Sequence, residues 1–421
     1  MNIKIGKSTL KGNIKVISSK SDAHRLLIAA ALADQPTKIL LEGWNNDIEA
    51  TKNCLEALGC KIIRNAGAIE VMPLWTAQTK DIVLDCGESG STLRFLLPVV
   101  AALGKQAIVE RQGRLPERPI GVLLEELRKH GSLVKEDALP LEMSGGIHGG
   151  TFTLPGNISS QFITGMLFAL PLLPEDSEIR LTSNMESKGY VDMTLETLQA
   201  FGIEIQELEW GFSIKGGQTY RSPQEISAEG DWSGAAFWVV AGGIGGDITC
   251  TGLRKNSCQG DKEIVSIMKR FGAKIEWQEN GVKVSGGKLK GITIDAAQIP
   301  DLVPILCTAA ALAQGKTLIY NAGRLRIKES DRLMAMAEGL QRLGVSVTQQ
   351  PDSILIEGGN TIPTGEIILD SFEDHRIVMA LAVAAAALGV EAVIEGAEAV
   401  SKSYPTFFAE FTRLGGAADV F

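Results

Sequence analysis

The chain has 421 residues, 41 Lys and Arg against 50 Asp and Glu, and a formal net charge of −9. At about 150 residues per domain it holds two or three domains, with length enough for sizeable cores. A hydrophobic content of 45% excludes intrinsic disorder, and the acidic balance, with no strong basic cluster, argues against a nucleic-acid partner.

Residues 1–10 show neither an apolar core nor a small-residue cleavage site, so no signal peptide is expected. The longest apolar run, 377–390, falls short of the roughly 18 to 20 residues that span a bilayer, so no membrane partner is expected. Six cysteines (Cys54, Cys60, Cys86, Cys250, Cys258 and Cys307) show no C-x-x-C and no metal-ligand spacing. Most of them read as small core residues, in a reducing cytoplasm.

In chain order, residues 1–18 alternate at Ile3/Ile5 and Ile14/Val16, the pattern of short strands. From there a unit repeats. A helical run followed by Gly recurs at Gly59, Gly131, Gly202, Gly272, Gly344 and Gly415, at intervals of 70 to 72 residues. The run is an amphipathic helix: Ile120, Leu123, Leu124 and Leu127 show its i, i+3, i+4, i+7 stripe. The Gly suits the left-handed conformation that ends a helix. Two alternating strands follow it, as at 273–277 and 282–285 around the Asn280–Gly281 turn.

Upstream in each unit a second helix is apolar on nearly every face, starting near His24, Ser91, Ser160, Ser233, Leu302 and His375. A helix without a polar face must be buried. One more strand follows it, as at 247–251 and 317–320. The sixth unit ends at Phe421, too soon for a full hairpin, so the N-terminal strands are expected to complete it. Three units then form one lobe, about 19–228. The other three form the second lobe, 1–18 with 229–421, with hinges near 18–20 and 228–231.

A buried helix points unsatisfied N–H groups and a partial positive charge outward at its start. The six starts carry Lys20-Ser21-Asp22-Ala23-His24-Arg25, Glu88-Ser89-Gly90-Ser91-Thr92-Leu93-Arg94, Ser159-Ser160-Gln161, Glu229-Gly230-Asp231-Trp232-Ser233, Ile299-Pro300-Asp301 and Asp374-His375-Arg376. Any one of these fits ordinary capping by Ser or Asp. Six together, three with Lys or Arg, point to convergent anion binding. The basic loops Arg114-Leu115-Pro116-Glu117-Arg118-Pro119, Ser187-Lys188-Gly189-Tyr190, Lys328-Glu329-Ser330-Asp331-Arg332 and Lys402-Ser403-Tyr404-Pro405 each fit solvated charge. In an acidic chain, though, a cationic cleft would focus its field on a small polyanion.

The strings Lys20-Ser21-x-x-x-Arg25, Gly90-Ser91-Thr92-Leu93-Arg94, Glu117-Arg118-Pro119, Ser159-Ser160-Gln161, Lys328-Glu329-Ser330-Asp331-Arg332 and Asp374-His375-Arg376 resemble, in order and over residues 20–405, the 5-enolpyruvylshikimate-3-phosphate synthase family of enolpyruvyl transferases. The resemblance implies a two-lobed inverse α/β barrel, each lobe of three βαβαββ units, closing on substrate. It implies transfer of the enolpyruvyl group of phosphoenolpyruvate to the 5-hydroxyl of shikimate 3-phosphate, with release of phosphate and without metal or organic cofactor. The partners it implies are those two small molecules, and a monomer is expected.

By the same resemblance, Glu329 would shuttle the methylene proton with Lys20 assisting, and Asp301 would accept the hydroxyl proton. Lys20, Gly90, Arg118, Gln161, Arg332, Arg376 and Lys402 would hold phosphoenolpyruvate. Lys20, Ser21, Arg25, Ser159, Ser160, Gln161, Ser187, Tyr190, Asp301 and Lys328 would hold shikimate 3-phosphate. Three positions depart from the family's common residues: Glu88 and Arg324, where Asn is frequent, and Gly189, where Pro is frequent.

Other readings fit less well. The related transferase acting on UDP-N-acetylglucosamine carries a Cys in its active-site loop, and residues 112–119 contain none. Gly87-Glu88-Ser89-Gly90-Ser91 misses the serine-hydrolase elbow, which needs Gly at Ser91. No Gly-Lys-Ser/Thr closes a P-loop. A non-catalytic repeat scaffold would leave the charged helix starts unexplained.

Overall fold

One pattern of elements recurs six times along the polypeptide. The computed structural model describes residues 1–74, 82–135, 140–359, 363 and 367–421. Among these, the helices are α1 (Lys20–Leu32), α2 (Asn46–Ala57), α3 (Gly90–Ala102), α4 (Gly121–Lys129), α5 (Ser160–Ala169), α6 (Lys188–Ala200), α7 (Trp232–Gly243), α8 (Ile264–Phe271), α9 (Val303–Ala311), α10 (Arg332–Arg342), α11 (His375–Leu388) and α12 (Phe407–Arg413).

The odd-numbered helices are the apolar ones. In α11 every residue from 375 to 386 is buried, and each fully buried Leu, Ile or Phe in such a helix contributes about 1.5–3 kcal/mol. The even-numbered helices are amphipathic. In α8, Ile264, Val265, Ile267, Met268 and Phe271 face the core, while Lys269 and Arg270 do not. All six repeat glycines, Gly59, Gly131, Gly202, Gly272, Gly344 and Gly415, have φ between 75° and 115°. Those angles are strained for a residue with a Cβ.

Among the described residues, six four-stranded sheets share one order. In the second repeat, Ile82–Asp85 runs parallel to Ala107–Glu110 with Ile82 opposite Ala107. Ala107–Glu110 pairs antiparallel with Leu141–Ser144, which pairs with Leu133–Lys135. Each repeat is thus βαβαββ, with its apolar helix inside and its sheet outside, the inverse α/β arrangement that the family resemblance implies.

The N-terminal strands correct one expectation. Ile3–Gly6 does complete the sixth sheet, pairing with Ala392–Glu395 and Ala417–Val420. Lys11–Lys15, however, lies parallel to Asp247–Thr251 in the fourth sheet, Ile14 opposite Cys250. The reason is an exchange of edge strands. The strand before α1 serves the sheet after α7, and the strand before α7, Glu225–Ser227, serves the sheet after α1 by pairing with Thr37–Leu40. Each edge is capped by a parallel neighbour that its own repeat does not encode.

Contacts divide the chain into two compact units, a continuous one, Lys20–Ala228, and a split one, Met1–Ser19 with Glu229–Phe421. Each has its own apolar core. Ser19 belongs to the split unit, where its N–H donates to the Glu229 carbonyl at 2.6 Å, and Asp231 N–H donates to the Ile17 carbonyl at 2.9 Å.

Candidate active site

In the continuous unit the polar residues gather at the starts of α1, α3, α5 and α6. Lys20, the first residue of α1, holds its amine 2.8 Å from the Asp47 carboxylate. Arg25, one turn further, is 2% exposed. It donates to Thr194 Oγ1 at 2.9 Å, to the Ser21 carbonyl at 2.5 Å and to the Tyr190 carbonyl at 2.6 Å. Its guanidinium also lies over the Phe95 ring. Burial brings its pKa down to about 10, well above neutrality, so the charge persists. Three of its five N–H groups are thus engaged, two of them tying α1 to α6 and the third staying within α1. Ser187, which precedes α6, is buried with φ 57° and ψ 41°, a left-handed backbone held beside Tyr190.

Gly90 opens α3 between two guanidinium groups. A Cβ there would lie 2.5 Å from Arg94 Nη1 and 2.8 Å from Arg118 Nη1. Arg94 donates to Gln161 Oε1 at 3.0 Å and to the Pro119 carbonyl at 3.1 Å, so it links Gln161 to the loop carrying Arg118. Gln161 donates in turn to Ser91 Oγ at 3.0 Å. Ser159 caps α5 by accepting the Gln161 N–H, and Ser160 is the helix's first, buried residue. Lys20, Ser21, Arg25, Ser187 and Tyr190 thus form one cluster. Gly90, Arg118, Ser159, Ser160 and Gln161 form another, and the contact of Arg25 with Phe95 of α3 joins them.

The split unit builds its site around Arg332, 1% exposed at the start of α10. Its Nε meets Asp374 Oδ2 at 2.7 Å, its Nη1 meets Asp301 Oδ1 at 2.9 Å and its Nη2 meets Glu329 Oε2 at 2.7 Å. Asp374 also caps α11 and accepts from Ser330 Oγ. Arg376 donates to the Asp301 carbonyl at 3.1 Å and to Ser233 Oγ at 2.7 Å, with Asp301 Oδ2 at 3.3 Å. Lys328 Nζ is 3.8 Å from Asp301 Oδ1, and Lys402 Nζ donates to the Glu373 carbonyl at 2.8 Å. Asp301, Lys328, Glu329, Arg332 and Arg376 are therefore brought together. Lys402 reaches the same neighbourhood through the residue preceding Asp374.

The electrostatics follow from this packing. Burial works to raise the Asp301 pKa, but Arg376, Lys328 and Arg332 outweigh it and hold the carboxyl well below the usual range. Asp374 is likewise held down, burial being overcome by Arg332 and then His375. The three carboxylates converge on a guanidinium, and among the described residues no group of three or more His, Cys, Asp and Glu side chains could hold a metal ion. No helix among them is long and apolar enough to cross a membrane.

A sequence profile of the family described as EPSP synthase (3-phosphoshikimate 1-carboxyvinyltransferase) matches residues 5–411. The chain belongs to the EPSP synthase family. It is 44% identical to the 3-phosphoshikimate 1-carboxyvinyltransferase of Clostridium acetobutylicum, over 98% of this chain and 97% of that one. It is 42% identical to the enzyme of the same name from Clostridium kluyveri, over 99% and 98%. The solved EPSP synthase of Acinetobacter baumannii superposes with a TM-score of 0.82 at 27% identity, covering 100% of both chains. The enolpyruvyl transferase NikO of Streptomyces tendae shares the fold, with a TM-score of 0.82 at 15% identity, covering 99% of this chain and 98% of that one.

Four residues of this EPSP synthase family member sit among the candidate side chains without having been singled out for them. Arg94 carried a signal, being one turn after Gly90 on the same helix face. Asp374 lay within the Asp-His-Arg string, read as a helix start. Asp47 and Asp261 had none. Asp47 meets Lys20 across 27 residues, and Asp261 accepts from Ser233 Oγ at 2.5 Å across 28.

Proposed function

We propose that this chain transfers the enolpyruvyl group of phosphoenolpyruvate to the 5-hydroxyl of shikimate 3-phosphate, releasing phosphate through a tetrahedral intermediate, as a step of the shikimate pathway. The observation that carries this reading is Arg332, buried and ringed by Asp301, Glu329 and Asp374. It joins a fixed cation to two carboxylates that are each partly open to solvent, Asp301 at 18% and Glu329 at 20%.

The chemistry needs that combination. A proton added to the methylene carbon of phosphoenolpyruvate makes the adjacent carbon electrophilic. The 5-hydroxyl attacks that carbon and gives up its own proton. The C–O bond to phosphate then breaks as the methyl carbon loses a proton, which restores the double bond. Glu329 serves both carbon proton transfers, with Lys20 assisting, a kind of catalysis worth about 10²–10⁴-fold. Asp301 accepts the hydroxyl proton. In the free protein its cations make it a weak base, and an anionic substrate that draws Arg332, Arg376 and Lys328 onto itself raises its basicity.

Arg118, Arg332, Arg376 and Lys402 take the carboxylate and phosphate of phosphoenolpyruvate, with Lys20, Gln161 and the Gly90 backbone. The fork of arginine suits both groups. In the continuous unit, the shikimate 3-phosphate-binding lobe of this reading, the ligands are Lys20, Ser21, Ser159, Ser160, Gln161, Ser187 and Tyr190. Arg25 fixes the Ser21 and Tyr190 backbones and keeps two N–H groups for the ligand. Asp301 and Lys328 complete the set. A cytoplasmic monomer working without metal or organic cofactor rounds off the reading, and no disulfide joins the six cysteines.

The test is phosphate release with both substrates present, the enolpyruvyl ether being identified by ¹³C and ³¹P NMR. Release without shikimate 3-phosphate, or transfer to UDP-N-acetylglucosamine in its place, would overturn the reading.

A further inference from the structure

His24 is completely buried on α1, and its Nδ1 lies 2.7 Å from Thr51 Oγ1 of α2. Thr51 Oγ1 is 2.6 Å from Thr92 Oγ1 of α3. The Thr92 hydroxyl is 2.7 Å from Ser89 Oγ, the cap of α3, which also accepts the Thr92 N–H. None of the four side chains is more than 1% exposed. The relay therefore runs through the core of the continuous unit and ends on the residue before Gly90.

Counting hydrogens gives the relay a direction. Each hydroxyl has one proton. The other acceptor beside Thr92, the Asp47 carbonyl, is 3.5 Å away, at the limit of such contacts, so the Thr92 proton goes to Ser89. Thr51 must then donate to Thr92, and His24 must donate to Thr51 from a protonated Nδ1. That leaves Nε2 as a bare lone pair, and Nε2 has no hydrogen-bond partner. The opposite direction would bury an unpaired N–H, which folded proteins rarely tolerate. A charged ring is disfavoured as well, since burial and then Lys20 and Arg25 hold the His24 pKa well below its usual value.

We propose that His24, neutral and protonated on Nδ1, is a positioning residue for phosphoenolpyruvate, acting through Thr51, Thr92 and Ser89 to fix the start of α3 at Gly90. Cooperative polarisation along such a chain makes it stiffer than its separate bonds. The backbone that the relay fixes is the one lying against Arg94 and Arg118, so a loosened cap moves the anion site while the rest of α3 stays packed. The kinetic part of this inference rests on the reaction proposed above.

The test takes the full chain labelled with ¹⁵N-histidine, whose four histidines are assigned by substitution. His24 is expected to stay neutral, with its proton on Nδ1, from about pH 6 to pH 8. His24→Phe and Thr51→Val cut the relay at two points. Each is expected to raise KM for phosphoenolpyruvate about tenfold and to leave KM for shikimate 3-phosphate within about twofold. His24→Asn, whose amide can still donate to Thr51, is expected to recover most of that loss. A merely structural role would instead lower Tm, move both KM values together and show no rescue by Asn. A ring protonated on Nε2, a charged ring, or an unchanged KM for phosphoenolpyruvate in both folded relay variants would overturn the proposal. Should a variant fail to fold, the ¹⁵N spectrum of the native chain still decides the tautomer. If the native chain shows no turnover that depends on shikimate 3-phosphate, the reaction fails, and the tautomer is still decided by that spectrum.

Discussion

The Arg94 carbonyl faces Gly165 so closely that a Cβ on Gly165 would lie 2.3 Å from its oxygen. Pro98, four residues on in α3, has no N–H and releases this carbonyl from the helical ladder. Helix α5 covers it with a residue that has no side chain, and at that separation Arg94 can also reach Gln161. Gly165→Ala is expected to push the two helices apart. Overpacking of this kind costs about 1–3 kcal/mol, and contact with backbone rather than a flexible side chain puts the variant at the upper end. Thermal unfolding should show the loss, and phosphoenolpyruvate should restore less stability than it does in the native chain. An unchanged Tm would show that α3 and α5 are not held together in this way.

Gly90 differs from Gly165 because its neighbours are side-chain ends. A methyl group at 2.5 Å from Arg94 Nη1 and 2.8 Å from Arg118 Nη1 displaces guanidinium groups and leaves the backbone in place. Gly90→Ala is therefore expected to fold normally. Its KM for phosphoenolpyruvate should rise about tenfold, with KM for shikimate 3-phosphate nearly unchanged. Steady-state kinetics with each substrate varied in turn checks this, and equal effects on both would mean the pocket has been misplaced.

Glu329→Gln keeps an acceptor for Arg332 Nη2, which now lies 2.7 Å from Glu329 Oε2. Only the capacity to carry a proton is removed. Turnover is expected to fall by about 10²-fold or more, with the KM values close to native. Turnover near the native rate would falsify the assignment.

Asp261, 3% exposed, has its pKa pushed up to about 6 by burial and then by Asp301, against the opposing pull of Arg376 and Ser233. Between the ordinary value of 3.8 and about 6, the folded protein keeps a proton that the unfolded chain releases. Stability from this group therefore falls as pH rises through that window, and the full penalty, about 3 kcal/mol, applies above it. Asp261→Asn keeps an acceptor for Ser233 and removes the charge. It is expected to be more stable than the native chain at about pH 8, with the difference fading towards about pH 4. Denaturant unfolding across that range measures it, and a pH-independent difference would remove Asp261 as the cause.

The parts of this architecture that were legible in the sequence are those governed by local rules. Gly59 and its five counterparts end helices in left-handed conformations, a requirement that each short segment states for itself. The apolar helices carry their burial in their composition. The edge-strand exchange could not be read in this way, because Ile14 is chosen by Cys250, more than 200 residues away, and any alternating strand would look the same. The candidate site divides similarly. Asp301, Glu329, Arg332 and Arg376 stand in short, charged, recognisable strings. Asp47, Asp261 and the hydroxyls of Thr51 and Thr92 are ordinary residues until tertiary packing gives them partners.

The exchanged edge strands also set an order of assembly during synthesis. All the described strands of the continuous unit's sheets lie within residues 37–227, so that unit can close as soon as this stretch has left the ribosome. The split unit cannot. Ile3 waits for Ile394 and Val420, and Ile14 waits for Cys250. At about 5–20 residues per second, the stretch after residue 228 takes roughly 10–40 s to appear. For that time the first strand is a nascent edge carrying Ile3 and Ile5 without its sheet, the kind of exposed strand that pairs wrongly. Moving residues 1–18 to follow Phe421, with a new start near Lys20, would shorten that wait, and the permuted chain is expected to give a larger soluble fraction when synthesised without chaperones.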